Sequence, residues 1–190
     1  VVRDNLRHRK DIENAYLDAI ARARTEIVIA NAYFFPGRSF RRALVEASAR
    51  GVRVMLLLQG RVEYLLLHYA SRALYGRLLA AGIEIHEYRR SFMHAKVAVI
   101  DGRWSTVGSS NIDPMSLLLA REANVVIDDA GFARELRTSL NEAIEKGAHR
   151  VQRASWKKQP LQARVMNWIC YELVRFLTGW SSYGRAREFK

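Results

Sequence analysis

SFMHAKVAVIDGRWSTVGSSN, residues 91–111, is the stretch whose reading decides the fold. Val97 to Ile100 make one short apolar strand and Trp104 to Val107 a second. Between them stands Asp101-Gly102. A two-residue type I′ turn needs positive φ at both central residues, and Asp-Gly is among the few pairs that supply it. A two-residue turn would set Ile100 opposite Arg103, Ala98 opposite Ser105, Lys96 opposite Val107 and His94 opposite Ser109. Side chains alternate along a strand, and directly opposed residues share a face. His94, Lys96 and Ser109 are therefore expected on one patch, joined by Asn111 if the strand runs that far. The patch lies at the end of the hairpin away from its turn.

Such a patch suits a phosphate. A lysine ammonium is a point charge for phosphoryl oxygens, and Ser and Asn donate hydrogen bonds to them. Histidine is the side chain most easily poised as nucleophile or general acid near neutral pH. The spacing is His-x-Lys, four residues, Asp, six residues, Gly-Ser-x-Asn. It resembles the signature of the phospholipase D superfamily at His94, Lys96, Asp101, Gly108, Ser109 and Asn111. The resemblance implies that a histidine attacks a phosphodiester and forms a phosphohistidine, while Lys96, Ser109 and Asn111 hold the phosphoryl oxygens. It implies no metal and no cofactor. Asp101 is counted with His94 and Lys96 in the family motif, but the residues themselves give it the turn, a structural task. Glu122 matches a family carboxylate that orients the histidine.

Outward from the hairpin, His8 to Thr25 shows a helical rhythm in Ile12, Tyr16, Ala19, Ile20 and Ala23. Glu26 to Ala30 reads as a buried strand ending in Asn31-Ala32-Tyr33-Phe34-Phe35-Pro36. Ser39 is a candidate cap for a helix that stops at Gly51. Val52 to Leu58 is apolar throughout, as a strand covered on both faces must be. A helix over Glu63 to Ala80, a strand over Ile83 to Tyr88 and a strand over Asn124 to Ile127 follow. Asp129 is placed to cap a helix to about Lys146, with Phe132, Leu136, Leu140 and Ile144 on its buried face. Ile112 to Met115 reads as a turn and Ser116 to Leu119 as local packing. His68 and His86 fall inside these elements and read as structural. The fold class is α/β: a layered phospholipase D-like fold, with a mostly buried mixed sheet, helices on both faces and a C-terminal amphipathic helix.

The chain has 190 residues and a net charge of +12, which excludes a disordered acidic segment and fits an anionic partner, lipid or nucleic acid. Cys170 is the one cysteine, so no internal disulfide forms and a reducing compartment is expected. The chain opens Val1-Val2 without methionine, which suggests a piece of something longer. The motif occurs once. Superfamily members build one site from two such motifs, so the other half is expected from an N-terminal half of the same polypeptide or from an identical chain in a homodimer.

A boundary is expected near residue 149, dividing a catalytic half-domain (1–149) from a tail (150–190). From Arg150 on, nine Lys and Arg stand against two acids. Leu161 to Trp180 can be a helix with a broad apolar arc. It is long enough to span a bilayer, but Glu172 and Arg175 near its middle make spanning costly. It reads as a helix lying in a membrane interface, or one packed on the protein. Arg3-Asp4-Asn5, the 30–36 segment, VGSSN with Ile112-Asp113-Pro114, and Glu122 to Val126 resemble the C-terminal half of bacterial cardiolipin synthases of the B-type branch. That resemblance covers residues 1 to 146. It implies phosphatidyl transfer between two phosphatidylglycerol molecules, releasing glycerol, by an enzyme held peripherally on the cytoplasmic side of the bacterial cell membrane. The alternative is a phosphodiesterase acting on nucleic acid as a homodimer.

Overall fold

The computed structural model of the chain describes residues 2–3, 10–113 and 121–179. Strands apolar on both faces form its centre. In β2 (Glu26–Asn31) and β3 (Arg53–Gln59), Ile27, Ile29, Val54 and Leu56 face one core, and Val28, Ala30, Met55 and Leu57 the other. Beside them lie β1 (Val2–Arg3), β4 (Glu84–Tyr88), β5 (Lys96–Ile100), β6 (Trp104–Gly108), β7 (Glu122–Asp128) and β8 (Ala148–Arg150). The sheet has eight strands in the order β1-β7-β6-β5-β2-β3-β4-β8. β2, β3 and β4 run parallel, and every other pairing is antiparallel. The first core lies under α1 (Asp11–Arg22), α2 (Arg38–Ala49) and α3 (Leu65–Ala80), the second under α4 (Ala130–Gly147). The mixed sheet with helices on both faces is the expected α/β class.

Local signals mark several helix ends. Gly51 and Gly82 follow α2 and α3 with φ of 90° and 85°, a conformation that only glycine adopts without strain. Asp129 caps α4, its carboxylate accepting from the Phe132 amide at 2.7 Å. Two details differ. Gly37, not Ser39, is the N-cap of α2. Phe132 is exposed, and Ala133 and Leu140 make the buried stripe of α4. The turn at Pro114, the packing at 116–119, the segment Arg3-Asp4-Asn5 beyond Arg3, and the expected helix start at His8 lie outside the described residues.

The hairpin turn forms, but the register is one residue off the expected one. Asp101 and Gly102 have φ of 51° and 61°, and the Arg103 amide donates to the Ile100 carbonyl at 3.2 Å. The ladder nevertheless pairs Ile100 with Trp104, Val99 with Ser105, Ala98 with Thr106 and Val97 with Val107. Arg103 is left over as a bulge, held by its ion pair with Asp128 and by the Asp129 amide on its carbonyl. A distant contact ties down the same turn. The Asp101 carboxylate accepts from the amides of Arg24, Thr25 and Glu26 and from the Thr25 hydroxyl, at 2.8–3.0 Å. Burial pushes the Asp101 carboxyl up, and these donors outweigh it and hold it below the usual 3.8. The stability it adds is present above 3.8 and is lost as pH falls through the lowered value. Asp101→Ala also strains the positive φ, and is expected to cost about 2 kcal/mol in urea unfolding. Asp101→Asn, which tolerates that φ, is expected to cost less.

The tail joins the same body. β8 pairs with β4 at the sheet edge and spans the position of the boundary expected at 149. After it come α5 (Arg153–Lys157) and α6 (Leu161–Gly179). Trp156 of α5 lies against Tyr75, ring centroids 5.0 Å apart. Cys170 and Val174 of α6 enter the first core. Among the described residues, no helix is long and apolar enough to cross a membrane.

Candidate active site

The candidate site lies where β5 begins and β6 ends. His94 stands exposed two residues ahead of β5. Lys96, the first residue of the strand, is buried and pairs in the ladder with Asn31 at the end of β2. Its ammonium donates to the His94 carbonyl oxygen at 3.2 Å. Burial pushes the Lys96 ammonium below its ordinary 10.5, while the charges of Glu122, Asp113 and Glu63 act to raise it. A cation held partly away from water is a stronger partner for a phosphoryl oxygen than one in solvent.

The two arms of the motif are joined by the loop after β2. The Ala32 amide donates to the Ala95 carbonyl at 2.9 Å, beside His94. The Phe35 amide donates to the Ile112 carbonyl at 2.7 Å, beside Asn111, and Phe34 makes a parallel bridge with Ile112. Asn31 adds a third link, its side-chain oxygen accepting from the Ile112 amide at 3.1 Å. Residues 31–35 thus clasp both His94-Ala95 and Asn111-Ile112. The sequence showed aromatic residues beyond a strand end; the tertiary contacts make them a brace. The Tyr33 ring meets the His94 ring edge-on at 6.4 Å, and its hydroxyl donates to Glu63. Burial, then the bond to Glu63, pushes the Tyr33 phenol above its ordinary value.

On the second arm, Gly108 fits where no side chain would. A Cβ there would lie 2.4 Å from the Ala123 carbonyl oxygen and 2.3 Å from the Asn124 side chain. The backbone oxygen cannot swing aside. Gly108→Ala is expected to cost about 3 kcal/mol, read as a lower thermal midpoint, and to reduce turnover by displacing Ser109. Ser109 is tied to β7: its amide donates to the Ala123 carbonyl at 3.0 Å and its Oγ accepts from the Ala123 amide at 3.1 Å. Its hydroxyl donates to Glu122. Glu122, expected to orient His94, therefore holds Ser109, and among the described residues it has no hydrogen bond with His94. Asn111 is buried between Ser110 and Ile112. Asp101 is at the other end of the hairpin, engaged with residues 24–26.

The changed register reassigns faces. Lys96, Ala98 and Ile100 share a side with Trp104 and Thr106, rather than with Ser105 and Val107. Asn124 of β7 is also on that side, its amide donating to the Thr106 hydroxyl at 3.2 Å. Glu122, two residues earlier, follows it, which explains how its charge reaches Lys96. Sequence reasoning gave no role to Asn31, Glu63 or Asp113. A polar residue ending an apolar strand, and an acid two positions after Asn111, were the available signals.

A family model described as "Cardiolipin synthase, PLD-like domain" matches residues 16–144. The chain belongs to this phospholipase D-like family. Curated relatives agree. Cardiolipin synthase B of Escherichia coli K12 is 43% identical over 183 residues, 95% of this chain and 44% of the relative. Cardiolipin synthase A of Klebsiella pneumoniae is 34% identical over 160 residues, 84% of this chain and 33% of the relative. The chain thus spans less than half the length of these relatives. Two solved structures share the fold. The phospholipase D family member Nuc of Salmonella typhimurium superposes with a TM-score of 0.63 at 22% identity, covering 74% of this chain and 90% of Nuc. Phosphatidylserine synthase of Haemophilus influenzae gives 0.69 at 13%, covering 88% and 44%. At this end of the sheet an exposed His94 side chain and a buried Lys96 ammonium, bonded to the His94 carbonyl, stand at one strand start.

Proposed function

We propose that the chain supplies one His-Lys half of a cardiolipin synthase of the phospholipase D type. The Lys96 ammonium, buried beside the exposed His94 at the strand end, carries the reading. The family and the relatives at 40% identity and above supply the substrate class. Residues 1–149 act as the catalytic half-domain and 150–190 as a basic tail. The second His-Lys half comes from an N-terminal half of the same polypeptide or from a second copy of the chain.

The chemistry runs in two displacements. The imidazole of His94, or of the second half, attacks the phosphorus of one phosphatidylglycerol. An N–P bond forms as the P–O bond to the head-group glycerol breaks. The opposing histidine gives its proton to the leaving oxygen, and glycerol departs. A hydroxyl of a second phosphatidylglycerol then attacks phosphorus, passing its proton to the same histidine. The N–P bond breaks and cardiolipin is released. Lys96, Ser109 and Asn111 steady the phosphoryl oxygens throughout, and Glu122 keeps Ser109 in place. No metal or cofactor takes part. The location proposed with this reaction is peripheral, on the cytoplasmic face of a bacterial cell membrane.

The test uses vesicles of phosphate-labelled phosphatidylglycerol and, separately, supercoiled plasmid DNA. Cardiolipin and glycerol without nicking are the expected result. Nicking without cardiolipin would overturn the reading in favour of a nuclease that shares its site between two chains.

A further inference from the structure

The apolar arc of α6 does not face the protein. Among the described side chains of the helix Asn167, Cys170 and Val174 are buried, and with Tyr171 they recur every three or four positions to make a narrow stripe against the protein. Leu161, Val165, Trp168, Ile169, Leu173 and Leu177 lie across the opposite side and are 45–72% exposed. At about 100° per residue, they cover roughly half the circumference. Gln162 and Glu172 interrupt this arc, yet so much exposed apolar surface on one side of a helix marks an interaction face.

Along one edge of this face runs a groove of about 560 Å³ between α2, α3 and α6. Arg38, Arg41, Arg42, Arg77 and Arg175 line it with Trp168 and Tyr171. Glu172 offsets Arg175 at 3.0 Å and Glu46 offsets Arg42 at 2.6 Å, so the groove keeps a positive excess. Arg41 donates to the Tyr171 hydroxyl at 3.1 Å and its guanidinium lies 6.0 Å from that ring. An apolar face bordered by guanidinium groups and a tryptophan matches a bilayer edge-on: acyl chains beside phosphates. A nucleic acid would use the arginines and leave the aliphatic face in water.

We propose that α6 is a bilayer-docking helix, its outward face seated among acyl chains and the arginine groove taking the phosphates of anionic lipids. The proposal rests on the reading of an anionic phospholipid substrate, and it names the surface that meets the lipid. Docking has a path to the site, because the Tyr171 ring packs on Phe35, centroids 5.4 Å apart, and Phe35 belongs to the loop that clasps His94-Ala95 and Asn111-Ile112.

The test is co-sedimentation of the 190-residue chain carrying His94→Ala, so that binding is read without turnover. Vesicles of phosphatidylglycerol mixed with phosphatidylcholine are compared with phosphatidylcholine alone. Ile169→Asp with Leu173→Asp is expected to lower partitioning onto the anionic vesicles at least about tenfold. Arg38→Gln with Arg42→Gln is expected to lower it several-fold, and to remove most of its dependence on salt. All four positions are exposed, and unchanged melting curves check that the variants fold. Trp168 provides a second readout: its emission is expected to shift to the blue on anionic vesicles, a shift missing from Trp168→Phe. Aspartate variants that bind like the parent would overturn the proposal. So would a dimer in solution that Ile169→Asp dissociates, which would assign the face to a second copy. Binding to duplex DNA that only the arginine variants weaken, with no vesicle binding, would overturn it too. Vesicle binding with no cardiolipin formed even when both His-Lys halves are present counts against the reaction and leaves the docking face standing.

Discussion

His94→Ala is expected to lower cardiolipin formation on the order of 10^5-fold while leaving the fold intact. Removing a nucleophile, or the acid that serves it, costs that much in enzymes whose groups act as a unit. His94 is exposed, and among the described residues no side chain hydrogen-bonds to its ring. Its removal opens no core cavity, and the melting temperature should stay within about 2 °C. The variant also tells nucleophile from acid. With phosphate-labelled phosphatidylglycerol, a covalent label stable in base and lost in acid identifies a phosphohistidine. If His94 attacks, the alanine variant takes up no label. If it protonates the leaving glycerol, label enters slowly on the other half. Turnover that survives at the parental rate would remove His94 from the mechanism.

Lys96→Met carries the second large effect and a diagnostic sign. Turnover is expected to drop about 10^3-fold, the cost of removing one preorganised charge from a site shielded from water. Stability should not drop with it. Burial already holds the Lys96 ammonium below 10.5, which means that the folded state disfavours the charged form. Such a group makes folding less favourable while charged, and that penalty fades as pH rises through the lowered value. An apolar side chain of similar length removes the penalty, so the melting temperature should hold or rise as activity collapses. The parent should also lose activity on the alkaline side before an ordinary lysine would. A Lys96→Met chain that is both inactive and unfolded would show that the lysine serves the fold. Lys96→Arg is not expected to rescue, because a planar fork cannot take the place of a compact ammonium at a strand end.

The parts of the site that could be read in advance are those fixed by near neighbours. Asp101-Gly102 reverses the chain because of its own φ preferences, and both residues show the positive φ expected. The apolar run that follows Lys96 puts that lysine at the start of β5 and His94 two residues ahead of it. The strand expected over Asn124 to Ile127 begins earlier, at Glu122, whose partner was not foreseen. The family supplied a role toward the histidine, whereas the hydrogen bond goes to Ser109. The bulge at Arg103 shifted every pair of the hairpin by one, at a turn whose Asp101 carboxylate is bound to residues 24–26, some 75 positions away. No local rule contains that contact.

The tail divides in the same way. Periodicity identified a helix with an apolar arc over 161–180, and α6 is there. Periodicity could not tell which side would be covered. The α3 surface takes the narrow Asn167–Cys170–Val174 stripe and leaves the wider arc outside. β8 went unread because three residues, Ala148–Arg150, carry too little pattern to declare a strand; only the open edge of β4 makes them one.

By itself, then, the sequence determined the order of the longer elements, the buried central strands, the reversal at 101–102 and the family. Each of these follows from residues within a few positions of one another, or from a linear spacing. Tertiary structure decided the pairing register, the partner of Glu122, the clasp of residues 31–35 on both arms of the motif, and the outward face of α6. Those depend on which distant groups find unsatisfied hydrogen bonds or open apolar surface nearby, and that is settled only when the chain has closed on itself.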